Sequence, residues 1–105
     1  MNWQDLVVIL AQNVREGQIT TYAEVSEWAF GKRNLGHPVG AMLRGAANHG
    51  FGKLTNRVIG SDGKLAALPE GLDQQKAQLV FEKIAFISVD TVDLSCNIPV
   101  ILSGK

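Results

Sequence analysis

Apolar side chains recur every three or four positions over the first half of the chain and then give way to shorter, partly alternating runs. Trp3, Leu6, Val7, Leu10 and Val14 follow helical spacing behind Asn2, a suitable N-cap. They predict an amphipathic helix over 3–15, stopped by Gly17. Thr21 with Glu24 three positions later reads as a capping box. Val25, Trp28 and Ala29 supply the inner stripe of a second helix, which Gly31 ends. A third helix is expected from Asn34 as N-cap, with Pro38 its fourth residue, inside the first turn where a missing N–H breaks no intrahelical bond. Its apolar stripe is Val39, Met42, Leu43 and Ala46. His37, Ala41, Arg44 and Asn48 fall on the other side, giving a small and basic outer face.

Beyond residue 56 the period changes. Arg57-Val58-Ile59 and Lys64-Leu65-Ala66 flank Gly60-Ser61-Asp62-Gly63, a hairpin signal that predicts a small wing. Leu72, Leu79, Val80 and Ile84 predict a helix after Pro69-Glu70-Gly71. The tail from Phe86 to Leu102 alternates in places and predicts one or two short strands, with Pro99 at an edge or a break. The expected fold class is therefore mainly α with a small β wing, a winged helix-turn-helix whose third helix is shaped to enter a groove. Helix pairs with this periodicity also occur without touching DNA, so the pattern does not by itself assign the groove.

A chain of 105 residues with 46% hydrophobic content fits one domain spanning 1–105. The longest apolar runs, Leu6 to Ala11 and Ile98 to Leu102, are far too short to span a membrane, and a cytoplasmic protein is expected. A single cysteine, Cys96, supports neither a disulfide nor a metal site, and it is expected to be a small core residue. No cofactor is expected.

Net charge is zero, but the charges are uneven. Residues 32–64 hold six basic side chains (Lys32, Arg33, Arg44, Lys53, Arg57, Lys64) against one acid, Asp62, and both histidines, His37 and His49. A local positive face is one reading and an ordinary mixed surface the other. Any DNA affinity is expected to be modest and sensitive to salt.

Four stretches, in order and spacing, resemble the DNA-binding C-terminal domain of the O6-alkylguanine-DNA alkyltransferases and their alkyltransferase-like relatives. Gly17-Gln18-Ile19-Thr20-Thr21-Tyr22-Ala23-Glu24-Val25-Ser26 is similar to the family's G-x-[IV]-[ST]-[ST]-Y-[GA]-[ED]-[IV]-A. The resemblance gives Tyr22 the role of pressing on the target phosphate while the nucleotide rotates out; a core or cap tyrosine is the alternative. Gly36-His37-Pro38-Val39-Gly40-Ala41-Met42 resembles A-R-x-V-G-x-A, in which the arginine fills the space of the flipped nucleotide. His37 stands there, shorter and mostly neutral, either touching the DNA backbone or merely exposed at a helix start. Arg33, one turn earlier, is a candidate substitute.

Leu54-Thr55-Asn56-Arg57-Val58-Ile59-Gly60 is similar to the family's P-C-H-R-V-I-G. Thr55 takes the alkyl acceptor's position and Asn56 the general base's; relatives without the cysteine usually carry tryptophan there. Transfer needs a thiolate made by a proton-accepting histidine. A threonine hydroxyl cannot be activated by a neutral amide. Leu72 to Ile84 resembles the family's closing helix, giving Glu82 the place of the carboxylate that orients the histidine; an exposed acid is the alternative, and a bond to Asn56 is the expected relic. Leu68 replaces a pocket tyrosine.

The resemblance therefore implies no enzyme. It implies a monomeric protein that binds double-stranded DNA through Tyr22, His37, Ala41, Arg44, Asn48 and Arg33, with Tyr22, Thr55, Asn56 and Leu68 around a remnant base pocket. Alkylated guanine would be the lesion and nucleotide excision repair proteins the partners. The alternative is a winged-helix regulatory or protein-interaction module without lesion recognition.

Overall fold

A computed structural model describes residues 2–65 and 71–102. Helix α1 covers Trp3–Asn13, two residues short of the expected end, because Val14 turns to extended backbone. Its start is a complete capping box. Asp5 N–H donates to Asn2 Oδ1 at 3.0 Å, and Asn2 N–H donates back to Asp5 Oδ2 at 3.3 Å.

Strand β1, Thr20–Thr21, runs directly into helix α2, Tyr22–Phe30. Thr21 caps α2 by accepting from Glu24 N–H at 3.2 Å. The expected reciprocal half of that box does not form, since the Glu24 carboxylate turns instead to the Arg33 guanidinium at 2.8 Å. Gly31 closes α2 in the left-handed conformation, φ 75°.

The turn into the next helix is built around buried Ser26. Its hydroxyl donates to Lys32 O and accepts from Leu35 N–H at 3.0 Å. Helix α3 is therefore Gly36–Ala46, with Leu35 at the N-cap and no side-chain cap, rather than starting at Asn34. Pro38 still lies in the first turn, where its missing N–H breaks nothing.

Helix α3 crosses α1 closely. A methyl group at Gly45 would lie 3.2 Å from Trp3 Cδ1. The core between α1, α2 and α3 holds Leu6, Leu10, Val25, Val39 and Leu43, all fully buried. Each leucine there contributes roughly 1.5–3 kcal/mol through burial. A wide turn, Ala47–Phe51, then breaks helical geometry at His49 and at Gly50, φ 94°. The His49 ring stacks on Trp3 at 4.2 Å and its Nδ1–H donates to Gly45 O at 2.7 Å, which pins this turn to α1. A single helical turn, α4, follows at Gly52–Thr55.

The predicted wing is only half right. Gly60 N–H donates to Lys64 O at 2.8 Å, so the turn forms. Strand β2, Val58–Ile59, nevertheless pairs in parallel with β1 (Thr20 to Val58, Thr21 to Ile59) rather than with residues 64–65. Val58 and Ile59 are both fully buried, which suits a short internal parallel pair and not an exposed hairpin arm. Lys64 bridges to Thr91 instead, and Ala66 lies outside the described residues.

Helix α5 is Gly71–Phe81. Leu72 and Val80 are exposed, contrary to the expected stripe, and the inner side is Gln75 and Leu79. Leu79 joins Ile19, Ile59, Ile84 and Val92 in a second apolar cluster. Strands β3 (Phe86–Ser88) and β4 (Thr91–Val92) form an antiparallel pair. After Pro99 no strand forms, but Val100 N–H donates to Ile19 O and Val100 O accepts from Thr20 Oγ1, both at 2.8 Å, tying the tail to β1. Among the described residues, no helix is long and apolar enough to cross a membrane.

Candidate nucleic-acid interface

The outer row of α3 is where the helical spacing put it. His37, Ala41, Arg44 and Asn48 are all exposed, while Val39, Gly40, Met42 and Leu43 between them are buried. Asn48 sits on the wide turn, two residues beyond the end of α3. Tyr22, first residue of α2, lies half-buried beside this row and packs against the core.

Gly40 joins the two elements. A methyl group there would meet Arg44 Nη1 at 3.2 Å and Tyr22 Cε2 at 4.0 Å, so the guanidinium and the phenol ring flank a backbone without a side chain. Burial pushes the Tyr22 hydroxyl above its ordinary pKa, against the opposing pull of the Arg44 charge. Tyr22 is a neutral hydroxyl donor at neutral pH. Arg44 makes no ion pair among the described residues. A neutral donor beside an unpaired guanidinium suits a phosphate oxygen.

Thr55 and Asn56 are a different kind of site. Thr55 is 0% exposed at the end of α4, and its hydroxyl donates to Gly52 O at 3.2 Å. Asn56 is 3% exposed, and its Nδ2 donates to Gln78 Oε1 on α5 at 3.0 Å. Glu82 is buried, not an exposed acid, and the expected Asn56–Glu82 bond is not present. Arg57 takes the carboxylate through two bonds, Nε to Oε1 at 2.9 Å and Nη2 to Oε2 at 2.7 Å. Burial raises the Glu82 pKa, but the Arg57 bonds and charge outweigh it and hold the carboxyl below its ordinary value. Asn56 reaches Glu82 only through Gln78, whose Nε2 donates to Glu82 Oε2 at 3.2 Å. Among the described residues the Thr55 hydroxyl is bonded to the Gly52 carbonyl and to no side chain.

Neither a protein-family model nor a curated protein sequence matches this chain. Solved structures do, two S. pombe complexes among them. S. pombe Atl1 in complex with damaged DNA containing O6-carboxymethylguanine superposes with a TM-score of 0.61 over 100% of both chains at 18% identity. S. pombe ATL in complex with DNA gives 0.61 at 21% identity over 90% of this chain and 92% of that one. The chain has the Atl1 fold.

Within the Atl1 fold several expectations need correcting. Arg33, the candidate substitute for the family's arginine, lies back on α2, paired with Glu24 at 2.8 Å and Glu27 at 2.6 Å. Two of the six basic residues in 32–64, Arg33 and Arg57, are thus neutralised internally, which thins the positive face. Cys96 is exposed, its thiol directed at Asp93 Oδ2 at 3.4 Å, because the tail curls over Asp93 instead of entering the core. Leu68 lies outside the described residues.

Sequence patterns also missed three residues. Ser26 stood at a position where the family motif has alanine, so its turn-holding bonds went unseen. Gln75 is fully buried and donates to both Asn56 O (3.1 Å) and Val58 O (3.2 Å). Its position four before Leu79, on the inner stripe of α5, was the available signal. Gln78, four before Glu82, was the other.

Proposed function

We propose that this chain is a non-enzymatic, alkyltransferase-like DNA-binding protein that recognises O6-alkylguanine by nucleotide flipping and passes the lesion to nucleotide excision repair. The observation that carries the reading is the exposed row of His37, Ala41 and Arg44 on α3, continued by Asn48 on the wide turn, set beside a Tyr22 hydroxyl and an Arg44 guanidinium that makes no ion pair among the described residues. Phosphate contact by Tyr22 and Arg44 sets the register, and the small Ala41 lets the helix approach the groove. Thr55 and Asn56 line a pocket that accepts the base without reacting, since an amide cannot activate a hydroxyl. A cytoplasmic monomer is part of the same reading. The presence of O6-carboxymethylguanine in the complex of S. pombe Atl1 supports the lesion class.

Fluorescence anisotropy tests it with a duplex carrying one O6-methylguanine, compared with the unmodified duplex at two salt concentrations. Tighter, salt-dependent binding of the lesion duplex is expected. Equal affinity would remove lesion recognition.

A second reading, a protein-interaction module, draws support from zero net charge and from Phe81 and Ile98, each 79% exposed. It requires that no salt-dependent DNA binding be observed.

A further inference from the structure

Two glycines of α3 mark its two flanks. Gly40 and Gly45 are five positions apart, about 140° around the helix, so they lie on opposite sides of the exposed row through Ala41 and Arg44. The space at Gly40 is bordered by Tyr22 and Arg44, the phosphate contacts of the proposed interface. The space at Gly45 is filled by Trp3, and the His49 ring covers that indole. Their centroids are 4.2 Å apart, with 13° between the ring planes. His49 is exposed and directly follows Asn48, the last member of the row.

One nitrogen of this imidazole is committed. Nδ1 lies 2.7 Å from Gly45 O, and a backbone carbonyl only accepts, so Nδ1 carries the proton of the neutral ring. Nε2 is then a bare acceptor, which repels a phosphate oxygen. A proton on Nε2 reverses this, giving a charged donor that lies flat on an indole, where a cation is favoured. The titratable and charged groups on the elements packed around the ring are Asp5 on α1, His37 and Arg44 on α3 and Lys53 on α4. Asp5 accepts from Asn2 N–H and Arg44 stands on the Gly40 flank. Among the described residues none of them forms an ion pair with His49.

We infer that His49, protonated on Nε2, holds a phosphate of the DNA strand opposite to the one held by Tyr22 and Arg44. A groove has a phosphate backbone on each wall, and a helix lying in it presents one flank to each. The inference rests on the groove reading of α3 and deepens it, because binding of DNA becomes linked to binding of one proton. Histidine changes charge between about pH 5 and pH 8, so affinity rises on acidification.

Anisotropy of the full chain with an undamaged duplex tests this, with each variant checked for folding by circular dichroism. In the parent, the salt slope of log affinity should be steeper by about 0.9 at about pH 5.5 than at about pH 8. His49→Gln should give the shallow slope at both, His49→Lys the steep slope at both, and His37→Gln should retain the difference. Uncharged methylphosphonate linkages, placed one at a time along each strand, then locate the contacts. The linkage that abolishes the pH effect should lie on one strand, and the linkage that mimics Arg44→Ala on the other. Both on a single strand would overturn the inference. So would a parent slope that ignores pH, or a pH effect lost in His37→Gln and kept in His49→Gln. In each of these cases DNA binding itself stands, whereas the absence of any salt-dependent binding overturns the proposed function together with this contact.

Discussion

Arg57 grips Glu82 with two parallel bonds, at 2.9 and 2.7 Å, across 25 positions of sequence. The guanidinium also donates to Val14 O at 3.3 Å, so one side chain joins the end of α1, the start of β2 and the end of α5. The pair is nearly closed to solvent, with side-chain exposures of 12% and 4%. Removing one partner from such a pair leaves an uncompensated buried charge. Arg57→Met is expected to cost about 3–5 kcal/mol in urea unfolding, and Arg57→Met with Glu82→Leu to recover much of that loss. A double variant no more stable than the single one would contradict this account.

Acid sensitivity follows from the same carboxylate. Its folded pKa is depressed, so its stabilising contribution is complete above the ordinary glutamate value of 4.5 and drains away as the pH falls through the lowered folded value. Glu82→Gln should therefore be less stable than the parent at neutral pH, with the difference shrinking below pH 4.5. Thermal melts across pH 2–7 report it; parallel curves would show that Glu82 is not the group responsible.

Restoring the family's reactive pair should not restore chemistry. In Thr55→Cys with Asn56→His, the new imidazole would find the Glu82 carboxylate already occupied by Arg57 and Gln78. An unoriented, buried histidine is a poor proton acceptor. Incubation with an O6-methylguanine duplex should leave the intact-protein mass unchanged. A gain of one methyl group would refute the claim that the carboxylate is sequestered.

Arg44 and Arg33 should behave oppositely despite equal charge. Arg44→Ala is expected to lower the salt slope of DNA binding by about one and weaken lesion and undamaged duplexes alike. Arg33→Ala should leave that slope unchanged and cost little stability, as exposed ion pairs do. Equal effects on DNA binding would return Arg33 to the interface.

Gly40→Ala probes the geometry between Arg44 and Tyr22. The added methyl meets Arg44 Nη1 at 3.2 Å, the mobile end of a long side chain, so folding should change little. DNA affinity should drop because the guanidinium is displaced from beside Tyr22. An unchanged affinity by anisotropy would mean that Arg44 needs no fixed position.

Local rules sufficed for what depends on neighbours in sequence. Helical spacing placed α1, α2 and α3, and it put His37, Ala41, Arg44 and Asn48 on one exposed row, because a 3.6-residue period fixes which residues share a face. The Thr21 cap, the Gly31 stop and the Gly60–Lys64 turn were legible for the same reason. Thr55 and Asn56, at the positions where the similar family has cysteine and histidine, were legible directly. The partners of Glu82 and of β2 were misjudged because they lie far along the chain. Glu82 was assigned to Asn56 and belongs to Arg57. Val58 and Ile59 were assigned to a hairpin and pair with Thr20 and Thr21. The Arg33 pairing with Glu24 and Glu27 was not foreseen. Gln78 drew no notice, although it accepts the hydrogen bond of the Asn56 amide. Hydrogen bonds and ion pairs act over about 3 Å, whereas sequence separation here runs from 6 to 43 residues. Which polar groups meet is settled only when the apolar faces have packed and brought them within reach.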